Sequence, residues 1–440
     1  MAGGTLRINE GGKSIGATLA SGIIDVKAGG VDSATTIGSG GWWSTASQIV
    51  SAGGSAIGTK IYGTQIVKGL AKNVTLYRYG ELIVSKGGVV NGLTVTSGVS
   101  ASDITNAGVI SSWRLGKGVS MAYSGGYTLK GTTTVAEGAS ISGGTTSKRV
   151  SLDKGASLTA EKNADMSDLH LNVASGTLKL SGPGNTLGSV KLSSASNVVY
   201  DLSSTTAKTK SYMLYLSVKN TQKIGKFSIR VKKAQNIGTY ELSKDMVQNA
   251  KTAYALNLGT TSLGTLQLNG SKLTKNGVTY SLESKNSQLN LSIAIKNGTM
   301  CKGTTGKDKL TGRAHSDIFY GSKGNDTITG KNGRDVAVYD KTAWGKDTIA
   351  KTSGTMTLLF KDLKASDIKK SLSGSTMTIT KKSDSKQKIT VKGWSNDTHN
   401  IVFGSKMTAF DKYIKATSPT TAQTTAARNE VFKKAGLASA

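Results

Sequence analysis

Cysteine, proline and histidine are nearly absent from this 440-residue chain, with one, two and three copies. Each shortage removes a class of answer. The single Cys301 excludes an intramolecular disulfide framework and reads as an isolated thiol at a module junction, not as a nucleophile. With only Pro183 and Pro419, no Pro-rich linker divides the chain. His170, His315 and His399 lie far apart in sequence, which leaves little material for acid–base chemistry. No apolar run approaches the length of a membrane span, and MAGGTLRINEGGKS lacks the apolar core of a leader peptide. Acidic charge is scarce as well: 26 Asp and Glu against 56 Lys and Arg leave a net charge of +30. Such a surface attracts polyanions. The lysines are nevertheless spread along the chain and no nucleic-acid module is present, so no specific nucleic-acid partner is expected. Lysine also keeps a repetitive β protein soluble and guards its strand edges.

Glycine, by contrast, is abundant, at 55 residues. In the first half it comes in pairs, at Gly11-Gly12, Gly29-Gly30, Gly40-Gly41, Gly53-Gly54, Gly87-Gly88, Gly125-Gly126 and Gly143-Gly144, between short runs of Val, Ile, Thr and Ser. SQIVSAGG around Val50, TQIVKG around Val67 and ELIVSKGG around Val84 recur at seventeen residues, and AEGASI (136–141) and DKGASL (153–158) return at the same interval. That spacing suits a coil of two short strands and two turns with one apolar residue per strand facing a narrow core. The regularly placed Ile and Val argue against a disordered Gly/Ser chain. From about Leu169 to Lys296 the glycine punctuation fades while strand signals persist, as in LKLSG, YMLYLSV, FSIRVK and LNLSIAI. This stretch reads either as more β-helix or as a sandwich-like module. Only SKDMVQNAKTAY around Met246 has the look of a helical turn or two.

The most specific signal lies between Gly303 and Val338. Four units, GTTGKDKLT, GRAHSDIFY, GSKGNDTIT and GKNGRDVAV, put Asp308, Asp317, Asp326 and Asp335 in strict nine-residue register. Glycine at the first and usually the fourth position (Gly306, Gly324 and Gly333), Asp at the sixth and an apolar residue at the eighth match the calcium-binding nonapeptide. Each unit is a tight turn followed by a short strand, with Leu310, Phe319, Ile328 and Ala337 directed to the core. Two departures oppose metal binding: Thr304, Arg313, Ser322 and Lys331 stand at the second consensus glycine, and His315 at one fourth-position glycine. Lys307, Lys323 and Arg334 place cations in turns that should be electronegative. An affinity in the range of about 10⁻⁴–10⁻³ M, typical of extracellular calcium modules, is the expectation.

This segment resembles the parallel β-roll of RTX proteins, which bacteria export through type I secretion systems. The resemblance implies that Asp308 pairs with Asp326 on one edge and Asp317 with Asp335 on the other, giving roughly two Ca²⁺ sites completed by backbone carbonyls of Gly306, Gly324, Gly333 and their turns. GKDTI (345–349), TMTLLF, DLKASDI, TMTIT, QKITVKGW and NIVF follow in the order of the β-rich extension found after RTX repeats. The Ala-rich tail from Ala422 holds either a C-terminal export signal or a frayed helix. A type I signal is read at the C-terminus, so an absent leader and RTX repeats point the same way. The Gly-paired region resembles, more loosely, the AIDA-type repeats of bacterial surface adhesins.

The expected fold is therefore all-β: an elongated β-solenoid, or parallel β-helix, followed by a short RTX-type β-roll with a β-rich cap and a short helical tail. The expected division is 1–168 AIDA-like solenoid, 169–300 β-rich continuation, 301–340 calcium roll, 341–412 post-roll cap and 413–440 tail. The expected role is that of an extracellular or cell-surface adhesin-like structural protein. Its partners would be calcium, the type I secretion apparatus, and surface glycans or other polyanions. The competing class is a β-helix polysaccharide lyase or epimerase. Asp165, Asp168 and His170 form the one local acidic and imidazole cluster, with no motif around it, so no enzymatic activity is expected. In Trp42-Trp43 one ring would be buried and the other either offers a sugar-stacking platform or covers an edge.

Overall fold

The computed structural model describes residues 3–437 apart from 40–43, 118, 124–127, 146, 206–211, 223–224, 233–234, 249–251, 276, 343, 397 and 405. Trp42-Trp43 thus lies outside the described residues.

The first 258 residues wind into a parallel solenoid. Runs such as TQIV (Thr64–Val67) alternate buried and partly exposed positions, so each coil contributes one apolar row to a thin core. Thr64 pairs in parallel with Ser47 on one side and Glu81 on the other, seventeen residues away in each direction. Coil length varies elsewhere: Gly22 pairs with Ala46 at twenty-four residues, Val89 with Val109 and Ser157 with Thr177 at twenty, and Thr132 with Ser157 at twenty-five. The seventeen-residue return of AEGASI as DKGASL is therefore not a coil of the structure. Ser140 in the first stacks on Asp165, and Ser157 in the second stacks on Thr132. One face of the solenoid is a continuous sheet from Lys13–Ile15 to Ala253–Leu258; the other changes hands between two sheets, one ending at Ile104–Asn106 and the next opening at Ser120–Tyr123.

Inside the early coils the core is partly polar. Asp32 accepts hydrogen bonds from Thr35 Oγ1 (2.9 Å) and from Gln48, and Gln48 Oε1 accepts from Gln65 Nε2 (2.5 Å). The buried side chains thus satisfy one another from coil to coil.

The parallel stack ends in antiparallel pairing. Ala253–Leu258 turns back as Thr261–Gln267, and Gly238–Gln248 pairs antiparallel with Gln288–Ile295, which in turn pairs with Val278–Lys285. The middle region is more β-helix closed by hairpins. Met246 sits in the strand Gly238–Gln248, not in a helix, because sheet pairing on both sides of that strand overrides its mixed local propensity.

A second, smaller stack starts at Asn297–Lys302. Its five-stranded sheet runs through Ser316–Tyr320, Arg334–Tyr339 and Thr355–Lys361 to His399–Gly404, all parallel. The opposing sheet holds Lys309–Thr311, Thr327–Thr329, Lys346–Ile349 and Asp384–Lys392 in parallel, then two antiparallel strands. The coiling thus continues past Asp340 through Phe360. Phe319, Ile328, Ala337, Ile349 and Leu358 fill the space between the sheets, with Leu310 partly buried beside them.

The five-stranded sheet is buried on its other face too. Helices α1 (Thr408–Lys415) and α2 (Thr421–Lys434) lay Phe410, Val431 and Phe432 over Ile318, Tyr320, Val336, Val338 and Leu359. Burial on two faces explains why IFY, VAVY and TLLF are continuous apolar runs instead of alternating ones. The tail is thus a packed helical pair and not a frayed end. Lys361 Nζ fastens it, reaching Asp362 at 2.7 Å and Asp411 of α1 at 3.1 Å, and Glu430 of α2 accepts the Phe410 amide (2.8 Å).

Candidate calcium ladder

The nonapeptide aspartates stand at the two edges of the small roll, where turns of successive coils stack. On one edge Asp308 N–H donates to Asp326 Oδ1 (2.9 Å), and Asp326 N–H donates to Asp347 Oδ1 (2.8 Å). On the other, Asp317 N–H donates to Asp335 Oδ1 (2.9 Å). Each upper carboxylate therefore pins the coil below it with one oxygen. Asp347, in GKDTI, extends the first edge by a further coil, although it lies twenty-one residues after Asp326 and not eighteen.

The second oxygen separates the units into two kinds. Asp308 Oδ2 accepts the Thr304 amide (2.7 Å) and hydroxyl (2.9 Å), and Asp317 Oδ2 accepts the Arg313 amide (2.6 Å). In these two units the second oxygen is taken up by the residue's own turn. Asp326, Asp335 and Asp347 each keep Oδ2 buried with no hydrogen-bond partner. For Asp326 and Asp335 the difference goes with the second position of the turn: Ser322 (φ +72°) and Lys331 (φ +63°) adopt the left-handed conformation, and their amides make no bond to the carboxylate. Thr304 and Arg313 do not, and their amides close on the aspartate.

Close approach explains the glycines at the first and fourth positions. A Cβ on Gly321 would lie 2.3 Å from Asp326 Oδ2, and one on Gly330 equally close to Asp335 Oδ2. A Cβ on Gly324 would meet the Gly306 carbonyl oxygen at 2.0 Å and Asp326 Oδ1 at 3.2 Å; one on Gly333 would meet the His315 carbonyl at 2.0 Å. Each upper turn therefore packs its first glycine against its own carboxylate and its fourth glycine against the carbonyl of the preceding coil.

Burial disfavours charge there. It pushes the Asp335 carboxyl up to about 9 and that of Asp347 up to about 7, and raises that of Asp326; in each case one accepted amide opposes the shift and the neighbouring aspartate adds to it. Bare, desolvated carboxylate oxygens are costly without a cation, and they are the hard oxygen donors that calcium takes. Among the described residues no group of three or more His, Cys, Asp or Glu side chains converges. A cation at this ladder would accordingly draw part of its oxygens from the main chain.

Residues 302–337 match the RTX calcium-binding nonapeptide repeat, in four copies. The RTX repeats cover only this segment. A search of curated proteins gives no match. Among solved structures, the chain is similar to a TibC-catalysed hyper-glycosylated TibA fragment at 18% identity and a TM-score of 0.31, over 58% of this chain and 92% of that one.

The basic residues in the RTX turns do not crowd the carboxylates as their positions in sequence suggest. Lys307 and Lys323 are exposed. Arg334 is buried, one residue before Asp335 in a strand, and faces Tyr280 and Tyr240 on the side away from the ladder. Cys301 is a half-buried free thiol whose ionisation burial pushes up to about 11, with Asp317 and Asp335 adding to the shift, so it is unreactive.

The solenoid cluster flagged in sequence is not assembled. Asp165 accepts from Thr186 Oγ1 (2.8 Å), Asp168 is exposed, and His170 Nδ1 meets Ser189 Oγ (2.8 Å), which also accepts from Arg149 (2.7 Å). Ser189 is only 3% exposed.

Proposed function

We propose that this chain is an extracellular or cell-surface structural protein of adhesin-like type, in which a long β-solenoid is carried on a calcium-dependent RTX roll. The observation that carries the calcium reading is the row of buried, partnerless Oδ2 atoms on Asp326, Asp335 and Asp347. Asp326 and Asp347 on one edge and Asp335 on the other, with carbonyls such as those of Gly306 and His315, would hold ions at the two edges; Asp308 and Asp317 would brace the turns below, a narrower role than the one implied by the repeat alone. Calcium supplies the positive charge that lets the buried carboxylates ionise. Binding to the folded roll alone then adds its free energy to stability. Where calcium is scarce the carboxylates must be protonated or the turns opened, which supports a roll that folds after export by a type I apparatus. The lysine-rich solenoid supports contact with anionic surface polymers or glycans, and no catalytic role is assigned to it.

A calcium titration followed by circular dichroism and limited proteolysis tests the reading. The parent gains protection of 297–437 with millimolar calcium, and an Asp326→Ala/Asp347→Ala variant gains little. Equal protection of both proteins would refute the assignment.

A further inference from the structure

A second buried charge lies on the roll, and calcium does not account for it. Arg334 is 3% exposed, and its Nε and Nη2 atoms are buried without a hydrogen-bond partner. None of the ion pairs among the described residues includes it. An unpaired guanidinium in the interior is costly, and Nε with Nη2 is the edge of the fork that receives two oxygens of one anion side by side. The guanidinium therefore lacks an anionic partner among the described residues.

Arg334 borders a cavity of about 350 Å³ at the junction of three parts of the chain. Asn236 comes from the end of the solenoid, Thr355 and Thr357 from the next strand of the roll, and Asn396, Thr398 and Asn400 from the cap. Lys434 and the C-terminal end of α2 close it. Among the described residues its lining contains two fixed cations, Arg334 and Lys434, and no carboxylate. The rest is amide and hydroxyl together with the His399 imidazole, and Met356, Val402 and Leu437 form the larger apolar part. Pockets of this volume hold small molecules, and the mixture of amides and hydroxyls suits a body rich in hydroxyl groups.

We propose that this junction binds a monosaccharide-sized oxyanion, a hydroxylated compound carrying one carboxylate or phosphate that pairs with the Arg334 guanidinium, with Lys434 as the second positive group. The site is distinct from the carboxylate ladder, since Arg334 and Asp335 project to opposite faces of one strand. It would join solenoid, roll, cap and tail through one ligand.

The test is isothermal titration and thermal melting of the full chain in calcium-containing buffer at about 0.15 M salt, where diffuse attraction to a +30 surface is screened. The probes are glucuronate, glucose 6-phosphate and glucose. At least one anionic probe binds and raises the melting temperature, and glucose does neither; which anion binds more tightly identifies the carboxylate or the phosphate source. Arg334→Met loses at least about 30-fold in affinity while keeping its calcium response, which shows that Asp335 is undisturbed. Should that variant fail to fold, Lys434→Ala, at the exposed end of α2, reads the same cavity and binds the anion severalfold more weakly. Absence of binding by both anions at 10 mM overturns the proposal. So does anion binding that Lys434→Ala and every folded Arg334 variant leave unchanged, because the ligand then sits elsewhere.

Discussion

Replacing Asp335 by Asn separates the two things that this carboxylate is argued to do. The amide keeps an oxygen for the Asp317 N–H bond, so the turn stays pinned, but it carries no charge for a cation. For a site with an affinity of about 10⁻⁴–10⁻³ M, 10 mM calcium stabilises the parent by about 1.4–2.7 kcal/mol. In a unit the size of the roll this raises the melting temperature by roughly 5–10 °C. The variant loses the share that passes through Asp335. Without calcium the order reverses. Burial raises the carboxyl to about 9 in the folded chain, against about 3.9 when unfolded. Between those values the folded state binds more protons, so this group costs progressively more stability as pH rises. Metal-free parent therefore falls relative to Asp335→Asn from pH 5 to pH 9, and calcium restores the parent most strongly at the alkaline end. Calorimetry at three pH values, with and without calcium, measures both effects. A variant with the parent's full calcium shift, or a parent that gains on the variant with pH in the absence of metal, would refute the reasoning.

Other substitutions probe the rest of the roll. Gly330→Ala drives a methyl into Asp335 Oδ2 and should cost about 1–3 kcal/mol together with calcium response, whereas Gly306→Ala, whose new Cβ meets nothing nearer than 3.7 Å, should stay within about 0.5 kcal/mol; denaturant melts compare them. Lys331→Gly removes a side chain from a left-handed residue (φ +63°), and the relief outweighs the added freedom of the unfolded chain by roughly 0.5–1 kcal/mol, read in the same melts. Phe432→Ala empties a fully buried place between α2 and the five-stranded sheet and should cost about 3–5 kcal/mol. Hydrogen exchange should then rise across Ser316–Tyr320 and Arg334–Tyr339, not only within the helix.

What could be read in the sequence was whatever repeats at a fixed interval. The register of Asp308, Asp317, Asp326 and Asp335 follows from glycine and aspartate at set places, and the solenoid coils between Ser47 and Glu81 from Ile and Val at seventeen residues. Asp347 escaped because the turn before it is three residues longer than a pair of nonapeptides, so the period breaks while the stacking continues; the GKDTI motif was the available clue. The variation of solenoid coils, from seventeen residues at Thr64 to twenty-nine at Asn197, defeats period counting in the same way, since insertions are accommodated in turns and in register shifts of the stacked strands. Which carboxylates keep a bare oxygen was not legible, because it depends on the backbone angle at Ser322 and Lys331, where a consensus glycine would have given no contrast. Arg334 read as a turn cation opposing calcium; strand alternation places it on the opposite face. The packed tail was written in the unbroken apolar runs IFY, VAVY and TLLF, which one buried face does not require.

The two helices that cover the five-stranded sheet make the roll's boundaries non-negotiable for anyone dissecting this chain. A fragment stopped at Gly404 would retain every nonapeptide and every ladder carboxylate, yet present Ile318, Tyr320, Val336, Val338 and Leu359 to water as one adhesive plaque. Such a piece would clump for reasons unrelated to its metal, and its behaviour would be misread as a failure to bind calcium.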